Sequence, residues 1–391
     1  MGVGSGLWVE YGADLGYRGR RSIRNSAMML DVATGSPRSP TAFMDPGRVA
    51  FVRARAPLRL GLAGGGTDVS PYCDVHGGAV LNVTIDMYAY TVIEPTTDGR
   101  VVMIAADIDQ VVEGPADTIM DVADPLILHK AVYRRIVQQF NGGRPLSCKI
   151  TTFCDAPPGS GLGTSSTVVV SLVKCFAEWL GLPLGEYEIA HLAFEIERTD
   201  AGLAGGRQDQ YAAAFGGVNF IEFYKDDRVI VNPLRVKNWI MSELETSLVL
   251  FNSGVSRSSA AIIEKQTANL ADKDGKALAA MHELKIDAIG MKECLLKGDL
   301  TQFASFMRKS WIAKKQLAVG ITNDSIDKVY EAGMAAGALA GKVSGAGGGG
   351  FLTFLVDPAR RVGVIRALEK QEGRVMTCHM TKHGSEGWKI F

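Results

Sequence analysis

Apolar positions along the chain switch between two periods, and the switches mark a mixed succession of strands and helices. Runs at 80–85, 89–93, 101–104 and 147–153 are rich in Val, Ile, Thr, Tyr and Phe, which predicts β-strands. Between them, 126–140 reads as a helix. Over 164–180, Val169, Leu172, Val173, Phe176 and Leu180 share one face and Ser171, Lys174 and Glu178 the other, an amphipathic helix stopped by Gly181 and Pro183. Another helix is predicted over 185–199. A strand-rich passage follows Phe220 as far as Asn232 and Pro233. Helices are then expected over 265–297, 300–317 and around 331–340, and a strand over 351–356. Strands and helices mix without strict alternation, so the expected class is α+β rather than a doubly wound sheet. No internal repeat is present.

The first 48 residues break this pattern. Arg18, Arg20, Arg21 and Arg24 cluster among glycines, and 35–40 is rich in turn formers, with no sustained periodicity. The segment reads as a disordered extension, dispensable or lying before a true start at Met44; a transit peptide is the other reading. The expected organisation is therefore an extension at 1–48, one domain over 49–235 and a second over 236–391.

Composition narrows the function classes. The 391 residues are 47% hydrophobic, and 42 basic residues are balanced by 42 acidic ones. A disordered chain would carry excess charge, and a protein gripping nucleic-acid phosphates would carry a basic surplus. Six cysteines lack metal-binding spacing and read as reduced thiols of a cytoplasmic protein. No apolar run approaches the roughly 18 residues of a membrane span, and no secretory signal is evident. Neither nucleic acid nor membrane is an expected partner.

Glycine, at 45 residues, is enriched and clustered into three loops. The most informative is Pro157, Pro158, Gly159, Ser160, Gly161, Leu162, Gly163, Thr164, Ser165 and Ser166, between a predicted strand and a predicted helix. Glycines let backbone N–H groups converge, and the unpaired amides of a helix start favour an anion, so the loop can cradle phosphate. Thr164, Ser165 and Ser166 add hydroxyls for phosphate or hydrated magnesium. An ordinary Ser/Thr-capped turn is the simpler alternative. No Gly-Lys-Ser/Thr follows, so this is not the common P-loop. A GxGxxG match at Gly345, Gly347 and Gly350 runs into an apolar strand, which excludes a dinucleotide fingerprint.

Arg55, Ala56, Pro57, Leu58 and Arg59, then Gly64, Gly65, Gly66, Thr67 and Asp68, then the loop at 157–166, then the glycines after Lys342, resemble in order the three motifs of the GHMP small-molecule kinases. Within that superfamily the chain looks most like the D-glycero-D-manno-heptose 7-phosphate kinases, through 55–72 and 205–211; the likeness spans about 51–391. It implies a two-domain GHMP fold, with a mixed-sheet N-terminal domain and a ferredoxin-like C-terminal domain. It also implies ATP and Mg2+ as cofactors and a sugar phosphate as partner. The expected reaction is phosphorylation of the anomeric hydroxyl of heptose 7-phosphate, toward nucleotide-activated heptose. A homodimer is a possible assembly. Alternatives are an L-fucose-type or other aldose 1-kinase and, in another class, a non-catalytic ligand sensor of the same fold.

Phosphoryl transfer needs charge neutralisation and a group to orient or deprotonate the attacking hydroxyl. Glu197 projects with Ala190, Ala193 and Phe194 on the small, apolar side of its helix, where a carboxylate needs a partner such as magnesium. The resemblance also puts a metal-ligand glutamate there, and Ser165, through its hydroxyl, is expected to hold the metal with Glu197. Asp209 reads equally as an N-cap; by resemblance it is the catalytic acceptor of the hydroxyl proton. Arg59 keeps a charge that several relatives carry on lysine and is expected to act electrostatically. By resemblance Gly65, Gly66, Thr67 and Asp68 hold sugar hydroxyls, and Gly345, Gly347 and Gly348 shape the site. Arg207 and Arg257 are the candidates for the substrate's phosphate, each equally readable as a solvated arginine.

Overall fold

A computed structural model describes residues 50–391 except 119–121, 124, 256–258 and 271–274. The described residues belong to one compact unit, 46–391. The expectations for 1–48 and Arg257 lie outside the described residues.

The strands are β1 (Phe51–Ala63), β2 (Gly78–Pro95), β3 (Arg100–Ala105), β4 (Gln110–Pro115), β5 (Cys148–Cys154), β6 (Val218–Phe223), β7 (Val229–Pro233), β8 (Leu248–Asn252), β9 (Ala338–Val343), β10 (Phe351–Val356), β11 (Arg374–Met376) and β12 (Glu386–Ile390). The helices are α1 (Tyr72–His76), α2 (Ile127–Phe140), α3 (Thr164–Leu180), α4 (Glu186–Glu195), α5 (Gln208–Phe215), α6 (Asn238–Ser247), α7 (Ser259–Asn269), α8 (Lys276–Lys297), α9 (Leu300–Lys315), α10 (Asp324–Ala335) and α11 (Arg361–Leu368).

The first sheet runs β12-β1-β2-β5-β3-β4, with β6 on the other half of β2 and β7 beyond it. Among the described residues only β3 and β5 pair in parallel. The second sheet is antiparallel in the order β11-β8-β10-β9. With α8 and α9 between β8 and β9 and α11 between β10 and β11, it has the ferredoxin-like arrangement. The α+β architecture with two sheets is the expected one.

One apolar cluster joins both sheets: Leu58, Leu60 and Leu81 meet Leu250, Phe351 and Leu355, with Met291, Leu295, Phe303 and Met307 of α8 and α9 between them. Each such side chain contributes roughly 1.5–3 kcal/mol when fully buried, so the loops at this junction stand on a rigid base. Register shifts between Pro57 and Arg59 and between Gly61 and Ala63 bulge β1 where it faces β2. Bulges re-aim side chains, and these flank Arg59.

Several elements differ from the sequence reading. The runs at 80–85 and 89–93 are one strand, β2, because Asp86 is satisfied in place: its carboxylate accepts from the His379 N–H at 2.7 Å and its own N–H donates to the His379 carbonyl at 2.9 Å. The helix at 265–297 is two, α7 and α8, with left-handed Gly275 just before α8. The alanine-rich stretch around 331–340 leaves the helix at Ala335 and enters β9, where β10 offers a ladder. The helix at 185–199 is α4 followed by a π-helical turn, Ile196–Asp200. Ser171 is buried and bonded to the Thr91 hydroxyl at 2.7 Å rather than facing outward. All six cysteines are free thiols, and burial pushes Cys148 up to about 12.

Candidate active site

The loop before α3 alternates in direction. Ser160 and Leu162 point inward: the Ser160 hydroxyl meets the Thr164 hydroxyl at 2.8 Å, its carbonyl accepts from Phe351 N–H at 2.9 Å, and the Leu162 carbonyl accepts from Arg59 N–H at 3.1 Å. Gly159, Gly161, Gly163, Thr164, Ser165 and Ser166 face a cavity of about 420 Å³, as does Pro158. Pro157 lies outside that lining. The α3 N-cap is Gly163 in a left-handed conformation, with no side-chain capping bond. The first-turn amides are thus left without intrahelical partners, the usual setting for an anion.

The third glycine loop packs onto this one. A Cβ on Gly161 would come 2.6 Å from the Ser344 carbonyl oxygen, and one on Gly345 would come 2.9 Å from the Gly161 Cα. Gly345 reaches the cavity wall. Gly347 and Gly348 do not line it. Gly347 packs on Ile321, and the Gly348 N–H donates to the Ile321 carbonyl at 2.8 Å.

Three carboxylates line the same cavity, those of Asp209, Glu197 and Asp68. Asp209, in the first turn of α5, is held by Arg59, whose Nε donates to Oδ1 at 2.7 Å and whose Nη2 lies 2.6 Å from it. Arg59 is only 3% exposed and also donates from Nη1 to the Gly161 carbonyl at 2.5 Å. Glu197 lies buried in the π-helical turn, a local geometry frequent at functional sites. Its Oε2 accepts from the Ser166 hydroxyl and from Gln210 Nε2, each at 2.6 Å, and its Oε1 lies 3.2 Å from Arg198 Nη1. Ser166, rather than Ser165, is the hydroxyl in contact with Glu197; Ser165 is exposed on the cavity wall.

The loop after β1 lines the same cavity through Gly66 and Asp68. Asp68, 1% exposed, accepts the N–H groups of Gly66 at 3.0 Å, Arg207 at 2.9 Å and Gln208 at 3.1 Å. A carboxylate has about four acceptor positions, so one remains toward the cavity that Asp68 lines. The Thr67 hydroxyl is consumed by the Gly64 carbonyl at 2.8 Å and by the Ala79 carbonyl and N–H, each at 3.0 Å. Thr67 pins the loop and does not line the cavity. Gly66 lines it; Gly65 lines a smaller one behind Arg59.

Arg207 stands apart, against a neighbouring cavity of about 610 Å³ that shares Asp68 and Arg198 with the first. Its guanidinium lies over the Phe194 ring, 2.9 Å from Asp227 and 3.6 Å from Asp74.

Sequence reasoning missed Gln210, Gln266, Lys314 and Lys342. Lys314 Nζ donates to the Gly65 carbonyl at 2.8 Å, and burial pulls the amine down to about 8. Lys342 Nζ donates to the Gly61 carbonyl at 2.6 Å, and burial with Lys314 and Arg59 nearby lowers it to about 7. A signal for Lys314 was legible: it continues the stripe of Phe303, Met307 and Trp311 at helical spacing. The glutamines carry no charge and leave no comparable mark.

Residues 127–217 match the family model of the GHMP kinases N terminal domain, and 291–374 that of the GHMP kinases C terminal. A D-glycero-alpha-D-manno-heptose 7-phosphate kinase of Campylobacter jejuni is 48% identical over 339 residues, 87% of this chain and 99% of that protein. The chain belongs to the GHMP kinases. A solved structure described as a D-glycero-D-manno-heptose 1-phosphate kinase from Bacteroides thetaiotaomicron is 46% identical, with TM-score 0.75, covering 87% of this chain and 99% of that one. A mevalonate kinase structure at 20% identity, with TM-score 0.67 and coverage of 85% and 99%, shares the fold. Among the described residues, no helix is long and apolar enough to cross a membrane.

Proposed function

We propose that this chain transfers the γ-phosphoryl group of ATP to the anomeric hydroxyl of D-glycero-D-manno-heptose 7-phosphate, giving the 1,7-bisphosphate. The observation that carries the reading is the placement of Asp209 against the glycine cradle, clamped by Arg59, in the same cavity as Glu197. The substrate class rests on the 48% identity to the Campylobacter heptose 7-phosphate kinase.

The cradle amides would hold the triphosphate, with the third glycine loop packed against the cradle at Gly161. Asp209 would accept the proton of the attacking hydroxyl as its oxygen bonds to the γ-phosphorus and the bond from that phosphorus to the bridging oxygen breaks, releasing ADP, while Arg59 fixes the carboxylate and offsets developing charge. Asp68, with one acceptor position left, would orient a sugar hydroxyl. Arg207, in the adjoining cavity, would face the substrate's phosphate arm, and Arg257 remains a candidate for the same role.

Among the described residues no group of three or more His, Cys, Asp or Glu could hold a metal by itself. The oxygens present still suit magnesium, which binds through one or two carboxylates plus substrate phosphates and keeps several waters. Glu197, with Ser165 and Ser166, would hold it, and it would supply charge neutralisation of the phosphates when bound.

The test is an ATP-consumption assay across heptose 7-phosphate, heptose 1-phosphate, unphosphorylated heptose and L-fucose. Preferred turnover of heptose 7-phosphate supports the proposal. Preference for heptose 1-phosphate or for L-fucose replaces the acceptor, and ATP binding without turnover of any acceptor points to a sensor.

A further inference from the structure

We propose that Lys314 contacts the sugar directly, donating from its ammonium to a substrate oxygen between Asp68 and the Arg59–Asp209 pair. This deepens the kinase reading above and rests on it.

Lys314 lies in the last turn of α9, on the stripe that buries Phe303, Met307 and Trp311, and is 8% exposed. An ammonium carries three donors, and among the described residues its hydrogen bond is the one to the Gly65 carbonyl. Burying a charge with so little compensation is costly. A purely structural tie between α9 and the loop after β1 would be made at lower cost by an uncharged donor. The remaining donors have the cavity in front of them, which Lys314 lines beside Gly66, Asp68 and Gln266.

The surroundings select the ligand chemistry. Asp68 acts on the amine electrostatically but is already bonded to three backbone N–H groups, and no ion pair joins the two. Gln266 Oε1 adds an acceptor: a Cβ built on Gly66 would lie 3.1 Å from Lys314 Nζ and 3.6 Å from Gln266 Oε1, so the glycine keeps the space before both of them clear. A cationic donor beside a carboxylate and an amide oxygen matches a polyhydroxylated ring, whose hydroxyls both accept and donate. A phosphate there would meet the Asp68 carboxylate. Lys342 is excluded from this role. It lines the second cavity, of about 20 Å³, which has room for about one water, and its ammonium is bonded to two carbonyls, those of Gly61 and Leu62.

The experiment compares the full-length protein with K314M and K314R in steady-state kinetics, with heptose 7-phosphate and ATP varied separately from pH 6.5 to about 9.5. K314M is expected to raise KM for the sugar phosphate by roughly tenfold or more, the scale of a lost charged hydrogen bond, and to leave KM for ATP within about twofold. In the unsubstituted protein KM for the sugar should climb as pH passes about 8, and K314R should abolish that climb because guanidinium does not titrate. A folded K314M with unchanged sugar KM overturns the proposal, as does equal weakening of ATP and sugar or a flat pH profile before substitution. If K314M does not fold, the pH comparison with K314R decides. If heptose 7-phosphate is not turned over, the substrate reading fails separately, and the same comparison runs on whichever sugar supports turnover.

Discussion

Arg59 holds Asp209 by one oxygen. Nε and Nη2 both converge on Oδ1, at 2.7 and 2.6 Å, while Oδ2 lies toward the cradle, 3.3 Å from the point where a side chain on Gly163 would begin. One oxygen thus fixes the carboxylate and the other is left without a bond to Arg59, in a residue that lines the cavity.

Replacing Asp209 by Asn keeps the shape and removes the proposed proton acceptor. The expected loss in kcat is about 10²–10⁴-fold, with nucleotide affinity retained in an equilibrium titration. Undiminished turnover would remove Asp209 from the chemistry.

Arg59→Lys tests the fork rather than the charge. A lysine cannot reproduce the paired approach to Oδ1 together with the bond to the Gly161 carbonyl. A fall in kcat of about 10²-fold is expected, on the scale of losing one preorganised electrostatic donor. Wild-type kcat in the variant would show that charge alone suffices.

Gly161→Ala should push the two glycine loops apart. The new methyl would lie 2.6 Å from the Ser344 carbonyl oxygen, on a backbone with φ of 77°. The left-handed conformation alone costs roughly 1–2 kcal/mol. Both a lower melting temperature and a higher KM for ATP are expected; an unchanged KM would separate the loop contact from nucleotide binding.

Asp287 on α8 provides a stability test remote from the chemistry. It is fully buried, neither carboxylate oxygen has a hydrogen bond, and burial raises it to about 6, with Lys309 at 3.8 Å pulling the other way and Glu283 adding to the rise. The unfolded chain releases this proton near 4 and the folded one near 6, so the folded state holds more protons between those values. Stability should therefore fall as pH rises through that window, by about 2–3 kcal/mol at one unit per 1.36 kcal/mol. Asp287→Asn should melt higher than the parent at pH 7.5, with the difference vanishing near pH 4. Equal melting at both pH values would show the carboxyl to be solvated.

Much of the fold and part of the site could be read from side-chain chemistry. The cradle was legible because its alternating glycines carry a directional pattern, and Glu197 because a carboxylate on an apolar helix face is anomalous. The same anomaly marks Lys314, yet a helix with two other lysines nearby, Lys309 and Lys315, hides it. Which hydroxyl meets Glu197 was not legible: Ser165 and Ser166 are adjacent, and the choice depends on the phase of α3. The single strand β2 was hidden because Asp86 is satisfied by backbone groups nearly 300 residues away, a long-range fact with no local trace.

The last strand, β12, pairs with β1 along Phe51–Arg55, and Arg55 grips Glu386 through Nε at 3.1 Å and Nη2 at 2.9 Å. The outer edge of β1 is thus covered by residues at least 331 positions further along the chain. Removing or masking the last few residues would therefore expose a sticky border on the very sheet that aims Arg59, and would invite clumping before any loss of chemistry.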